Sequence, residues 1–156
     1  MEFNATLVGV IILLVIFVPI IAMLWTATGK EKKAKKSLLQ ISKNKSLELK
    51  EIEVIGNVII GLDEKSKKLV YSSLKNLKND IKIIDINELK NCRVKTVHEN
   101  GKSLEWVGLE LTGPRDKFEI MFYDDSEEEG SSKDPLMLLQ DAKRWENHLR
   151  PLLKAS

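Results

Sequence analysis

The chain is poor in the side chains that most enzymes and metalloproteins use. Its 156 residues include one cysteine, Cys92, and two histidines, His98 and His148. One cysteine cannot form an intramolecular disulfide, and neither histidine has a metal-ligating residue three or four positions away. A glycine-rich phosphate loop and a G-x-S-x-G element are both missing from the sequence. We therefore expect no catalytic residues, no metal site and no cofactor, and a protein that is not an enzyme.

A dominant charge of one sign is also missing after the first 36 residues. The residues from 37 onward include 20 Lys and Arg and 21 Asp and Glu, so their charges nearly cancel. A nucleic-acid partner is not expected, because it would need a dominant basic face. Residues 124–133 are rich in acids and predict a mobile acidic loop. Gly130 follows these acids instead of lying among them, so the spacing of a Ca²⁺ loop is not met.

One long apolar run is present, and it lies at the N-terminus. Residues 5–27 carry no charge, and fourteen of the twenty residues from Thr6 to Trp25 are Leu, Ile, Val or Phe. Twenty helical residues span about 30 Å, the thickness of a bilayer core. The alternative, a cleaved signal peptide, would need a basic N-terminal region and a shorter apolar core. We expect a retained transmembrane anchor over residues 1–28, with Trp25 at the membrane interface.

A basic collar follows the apolar run. It consists of Lys30, Lys32, Lys33, Lys35 and Lys36. Basic residues favour the cytoplasmic side, so we expect a single-pass protein of the inner or plasma membrane with its N-terminus outside. Residues 29–46 are predicted to form a basic juxtamembrane helix or tether. The collar is interpreted as an orientation signal, although lysines near a membrane also attract acidic lipids.

Residues 47–156 read as one domain of short strands and a final helix. An apolar period of two, as in Val107–Leu111 and Phe118–Phe122, indicates six or seven mostly antiparallel strands. Asn100-Gly101 is the strongest hairpin signal. Asp134 and Pro135 suit a helix start. An apolar stripe follows them, made of Leu138, Ala142, Trp145, Leu149 and Leu152.

This order of elements, with a tryptophan in the last helix, resembles the pleckstrin-homology-like (PH-like) barrel. The whole chain resembles small bacterial single-pass membrane proteins that carry such a cytoplasmic domain. The resemblance implies an α+β or mainly-β fold, in which a small antiparallel barrel is capped by the C-terminal amphipathic helix. A lipocalin-like or other small barrel is the structural alternative.

The resemblance also supplies a candidate lipid site in an early strand–loop–strand turn. The corresponding turn contains Lys65, Lys67 and Lys68. Phosphoinositide-binding members carry an arginine in this cluster, and arginine is the better bidentate phosphate partner. The turn has no arginine and begins with two acids, Asp63 and Glu64. We therefore do not expect recognition of a specific lipid headgroup.

The function favoured by the sequence is a membrane-tethered, non-catalytic protein-interaction module, an adaptor or scaffold. Its partner would be a protein in or at the same membrane, bound for instance by strand addition to a sheet edge. The candidate groove lies between the last strand and the helix, at Phe122, Tyr123, Leu138 and Trp145. Two alternatives stay open: a structural or assembly subunit of a membrane complex, and a domain that senses anionic lipids.

Overall fold

The structure, a computed structural model, describes residues 5–99, 101, 103–124 and 133–153. Side chains are described for these residues except 5, 6, 23–28 and 99. Within this part of the chain there are two α-helices and two antiparallel sheets. The predicted acidic loop falls mostly on residues 125–132, and the predicted Asn100-Gly101 turn includes Asn100; these positions lie outside the described residues.

The first sheet is a four-stranded antiparallel meander in the order β1-β2-β3-β4. Its strands are β1 (Glu51–Ile55), β2 (Val58–Asp63), β3 (Lys68–Ser73) and β4 (Lys82–Asp85). Gly56, in the β1–β2 turn, has φ +57°. A Cβ at Gly56 would collide with the backbone carbonyl of Phe122. This turn therefore marks a close approach of the first sheet to the second.

The second sheet has three antiparallel strands in the order β5-β6-β7. These are β5 (Asn91–Glu99), β6 (Ser103–Thr112) and β7 (Lys117–Asp124). The register shifts between Val97 and His98 and again between Val107 and Gly108. Such irregularities increase the local bend and twist of a sheet. With the four strands of the first sheet, the described strands number seven, within the range that the alternating pattern predicts.

The C-terminal helix α2 (Pro135–Leu149) packs against the core between the sheets. Asp134 caps its start, because the aspartate side chain accepts a hydrogen bond from the Leu136 amide at 2.9 Å. Four positions of the predicted apolar stripe are buried: Leu138, Ala142, Trp145 and Leu149. They join inward-facing residues of both sheets in what we call the main core.

The N-terminal helix α1 (Ala5–Asn44) is 40 residues long and contributes to a second apolar cluster. Leu38 is fully buried against the outer face of the first sheet. The buried members of this outer cluster are Leu38, Leu47, Val54, Ile59 and Val70. The last turns of α1 are thus packed onto the strands, within the segment 29–46 that was expected to form a basic helix or a tether.

The predicted PH-like barrel is wrong, because the two sheets do not close on each other within the described residues. The reason lies at the end of β4. The Asp85 side chain accepts hydrogen bonds from the Asn87 amide at 2.9 Å and from Asn87 Nδ2 at 3.0 Å. These bonds stabilise a 3₁₀ turn, Ile86–Glu88, that takes the chain out of the first sheet before β5 begins. The fold is therefore a pair of open antiparallel sheets with helices.

The predicted transmembrane anchor at residues 1–28 also needs correction. In the described residues, no helix combines the length and the apolar character needed to cross a membrane. This finding contradicts the predicted single-pass membrane localisation. Residues 1–4 and the side chain of Trp25 lie outside the description.

Candidate functional site

A cleft of about 630 Å³ opens between the end of β4 and the turn that joins β6 to β7. Its lining residues are Ile83, Ile84, Asp85, Asn87, Glu88, Leu89, Lys90, Gly113, Pro114, Arg115, Asp116 and Phe118. This volume falls in the range of protein pockets that hold small ligands, roughly 300–1,000 Å³. The cleft lies where the sheets fail to close, beside the 3₁₀ turn Ile86–Glu88.

The floor of the cleft is apolar. Ile84 and Leu89 are buried members of the main core, and Phe118 packs against that core. Ile83 lies next to this floor on β4 and has 37% of its surface exposed. Burial of apolar surface stabilises a complex at roughly 25 cal/mol per Å². The floor therefore offers a binding contribution to an apolar side chain that enters the cleft.

The walls of the cleft are held by backbone hydrogen bonds. The Lys90 amide donates to the Thr112 carbonyl at 2.8 Å, and the Gly113 amide donates to the Asp116 carbonyl at 2.8 Å. Gly113 leaves no room for a side chain, because a Cβ would lie 2.8 Å from the Glu88 carbonyl oxygen. The β6–β7 turn and the 3₁₀ turn are therefore in close contact, and the cleft exists before any ligand binds.

The rim of the cleft carries charges of both signs. Lys90 and Arg115 are exposed cations, and the acids of the lining are Asp85, Glu88 and Asp116. A rim of mixed charge does not favour a strongly anionic or strongly cationic ligand. It suits a ligand that carries donors, acceptors and both charges, as a polypeptide segment does.

Strand β4 borders the cleft and is an edge strand of the first sheet. It pairs with β3 along the register Lys68↔Asp85 to Tyr71↔Lys82, and no other described strand pairs with it. An edge strand presents backbone N–H and C=O groups that can bind a further strand. The cleft thus combines an apolar floor with a backbone edge.

The groove predicted between the last strand and the helix does not present its side chains on the surface. Phe122, Leu138 and Trp145 are buried in the main core, and Tyr123 is half-buried against it. Trp145 is held there by a hydrogen bond from its Nε1 to Glu53 Oε2 at 2.8 Å. The apolar alternation that suggested a groove reflects packing of the core.

Glu53 connects β1 to α2. Burial raises the pKa of Glu53, but hydrogen bonds from Arg144 and Trp145 and the nearby positive charges outweigh that effect, so the pKa lies below its ordinary value. Arg144 binds the carboxylate through Nη1 at 3.0 Å and Nη2 at 2.7 Å. This two-pronged contact fixes the helix against the first strand.

The lysines singled out in the sequence lie in or next to the β2–β3 turn and on α1. Lys65 is 82% exposed, with its Nζ 3.9 Å from Glu48 Oε2. Lys67 and Lys68 are half-buried, and Lys67 has φ +52°. The collar residues Lys30, Lys32, Lys33, Lys35 and Lys36 all lie on α1, where Lys35 is half-buried and the others are exposed.

Cys92 lies in the main core. Burial, together with the negative charge of Glu146, raises the pKa of its thiol to about 12. A thiol with so high a pKa is protonated at neutral pH and is a poor nucleophile and metal ligand. Cys92 is therefore a packing residue.

One group of three side chains among the described residues has the geometry to hold a metal ion: Glu51, Glu64 and His148. Their ligand atoms all lie within 4.8 Å of one another. No local spacing in the sequence marks this group, because its members are not three or four positions apart. Glu51 begins β1 and Glu64 follows β2, whereas His148 lies on α2, far along the chain from both.

Comparisons with known protein families, with curated proteins and with solved structures give no match for this chain. The resemblance to PH-like proteins therefore stays a prediction drawn from the order of elements.

Proposed function

We propose that the protein is a non-catalytic protein-interaction module that binds an extended peptide segment of a partner protein in the cleft beside β4. The observation that carries this proposal is the cleft itself, whose apolar floor lies next to an edge strand. Strand addition supplies backbone hydrogen bonds, and a pocket for alternate side chains supplies specificity. The edge strand β4 and the apolar floor of the cleft lie next to each other on the first sheet.

The chemistry of the cleft supports binding without catalysis. Its described lining contains no cysteine, histidine or serine. The Asp85 carboxylate is engaged by two N–H groups of Asn87, so it serves the local fold. A catalytic site needs a nucleophile or base that converges with a second functional group, and the mixed charges of the rim provide complementarity instead.

The test is a selection of peptides from a displayed library on the full-length protein, followed by affinity measurements on two variants. Ile83→Lys places a charge beside the apolar floor. Val97→Lys is the matched control, since Val97 is also a strand residue, is 42% exposed and lies on β5 outside the cleft. We expect Ile83→Lys to weaken binding of the selected peptides about tenfold or more, and Val97→Lys to leave it unchanged. Equal binding by the two variants, or no selected peptide, would contradict the proposal.

A second candidate function, a structural subunit of a larger protein assembly, is favoured by α1. Thirteen large apolar residues between Leu7 and Ile21 are at least 41% exposed. They cover every face of the helix, and a helix that is apolar all round is normally buried against other structure. Because the same helix packs onto the first sheet at Leu38, a partner on residues 7–21 would be joined directly to the folded unit.

This second function is tested by scrambling the order of residues 7–22 while their composition is kept. Crosslinking in cells of the full-length protein should give a discrete adduct of defined mass, and the scrambled variant should lose it, because helix packing depends on the order of side chains. An identical adduct from the scrambled variant would count against an assembly role for this helix.

A further inference from the structure

We propose that Glu51, Glu64 and His148 form a binding site for a divalent transition-metal ion, for which Zn²⁺ is the probe. The site involves none of the residues that line the cleft. It lies where the start of β1, the β2–β3 turn and the last turn of α2 meet.

The distances between the donor atoms fit one ion. His148 Nε2 lies 3.5 Å from Glu51 Oε2 and 3.7 Å from Glu64 Oε1. Zinc binds nitrogen and carboxylate oxygen at roughly 2.0–2.2 Å, so tetrahedral ligands lie about 3.4 Å apart. Both separations from His148 Nε2 are close to that value, and the two carboxylate oxygens lie within 4.8 Å of each other.

The packing of α2 against β1 places His148 opposite Glu51. Glu53 lies two residues after Glu51 on the strand, and its carboxylate is bound by Arg144 and Trp145. Two strand residues advance about 6.7 Å, and one helical turn advances about 5.4 Å. Because His148 lies one turn beyond Arg144 and Trp145, the Glu53 contacts place the imidazole opposite Glu51.

The turn that presents Glu64 is also held in place. Asp63 is buried, and its two carboxylate oxygens accept hydrogen bonds from the Glu48 amide at 2.9 Å and the Ser66 amide at 3.0 Å. Glu51 pairs with Leu62 across the β1–β2 ladder, so Glu64 follows two residues later beside the same strand end. Asp63 is therefore a positioning residue for Glu64.

The imidazole has a ring nitrogen available for a metal. His148 Nε2 is inaccessible to solvent and has no hydrogen-bond partner in the described structure. The ring packs edge-on against Trp145, with 6.0 Å between ring centroids, which orients it. Two carboxylates that face one imidazole repel each other when they are ionised, and a cation between them offsets that repulsion.

The donor set selects the class of metal. Imidazole suits Zn²⁺, Ni²⁺, Cu²⁺ and Fe²⁺, whereas Mg²⁺ and Ca²⁺ prefer oxygen ligands alone. Three protein ligands leave a coordination position open to water, and the exposure of both glutamates gives water access. We therefore expect a transition metal to be preferred over Mg²⁺.

The test is calorimetric titration of the full-length protein with Zn²⁺, together with Co²⁺ absorption spectra. We expect one ion per chain, with binding weakened about tenfold or more by each of Glu51→Gln, Glu64→Gln and His148→Gln. His98→Gln is the matched control, because His98 is an exposed histidine on β5 outside the site. Excess Mg²⁺ should not displace Zn²⁺.

Several results would overturn the proposal. These are the absence of saturable one-to-one Zn²⁺ binding, unchanged binding by His148→Gln, or equal displacement by Mg²⁺. Thermal unfolding of the metal-free variants checks that each one folds. Zn²⁺ should raise the Tm of the wild-type protein and of His98→Gln, but not that of His148→Gln, because only a folded site binds the ion.

Discussion

Trp145 Nε1 donates a hydrogen bond to Glu53 Oε2 at 2.8 Å, and this contact joins the C-terminal helix to the first strand of the chain. The two residues are 92 positions apart. The indole also fills the main core, so one side chain contributes both packing and a hydrogen bond to a carboxylate. The same contact aligns α2 with β1 and thereby the proposed metal ligands with each other.

Replacing Trp145 with Phe should lower the free energy of unfolding by about 2–4 kcal/mol. The variant loses a hydrogen bond to a charged group, and it leaves space where the larger ring packed. Urea unfolding followed by circular dichroism measures the loss. Lys143→Ala, at an exposed position of α2, is the control and should change stability by less than about 0.5 kcal/mol. A Trp145→Phe variant as stable as this control would contradict the role given to Trp145.

Leu38→Ala should destabilise the protein by about 2–5 kcal/mol, because Leu38 is fully buried in the outer cluster. The neighbouring Leu39 is 36% exposed, so Leu39→Ala should cost less than about 1 kcal/mol. Equilibrium unfolding of the two variants compares them directly. Equal effects would mean that α1 is not packed on the first sheet as described.

Gly113→Ala should lower both stability and binding in the cleft. The added Cβ would lie 2.8 Å from the Glu88 carbonyl oxygen, so the β6–β7 turn must move away from the 3₁₀ turn. Overpacking of this kind costs about 1–3 kcal/mol. The control is Gly29→Ala, on α1, where the added Cβ would meet no packed neighbour within 4 Å. Unfolding and peptide-binding measurements on both variants test this expectation. If Gly113→Ala bound the selected peptides as tightly as the wild-type protein, the contact at Gly113 would not form a wall of the binding cleft.

Acid should weaken the second sheet through Glu110. This buried carboxylate accepts a hydrogen bond from Lys117 Nζ at 2.7 Å and is also bound by Arg93, and these contacts lower its pKa. A lowered pKa in the folded state adds stability above the ordinary glutamate pKa of about 4.3, and that stability is lost as the pH falls through the folded-state value.

The measurement for Glu110 is urea unfolding of the wild-type protein and of Glu110→Gln between pH 7 and pH 3. The wild-type protein should be the more stable of the two at pH 7, and the difference should shrink as the pH falls below about 4.3. A difference that does not change with pH would show that the Glu110 charge contributes nothing to stability.

Local patterns in the sequence predicted the elements better than their assembly. Alternation at Phe118–Phe122 and the start signals Asp134 and Pro135 correspond to β7 and α2. Closure of the sheets failed as a prediction because it depends on the Asp85–Asn87 turn, whose effect on strand pairing is visible only in three dimensions.

The candidate groove was harder to predict than the strands and helices, because the same apolar period occurs in a buried core and along a surface groove. Phe122 and Trp145 fit both interpretations, and the fold puts them in the core. Glu51, Glu64 and His148 carry no local signal, since the helix–strand packing at Glu53 brings them together. The transmembrane prediction depended on composition over residues 5–27, and the described part of α1 does not meet the length and apolarity that crossing requires.

The most direct measurement of the central claim is amide hydrogen exchange of the full-length protein with and without a saturating selected peptide. Strand addition in the cleft predicts slower exchange in Lys82–Asp85, because the free edge of β4 becomes hydrogen-bonded, with no change in Val94–His98 of β5. Protection confined to other strands, or exchange in β4 that the peptide leaves unchanged, would contradict the account.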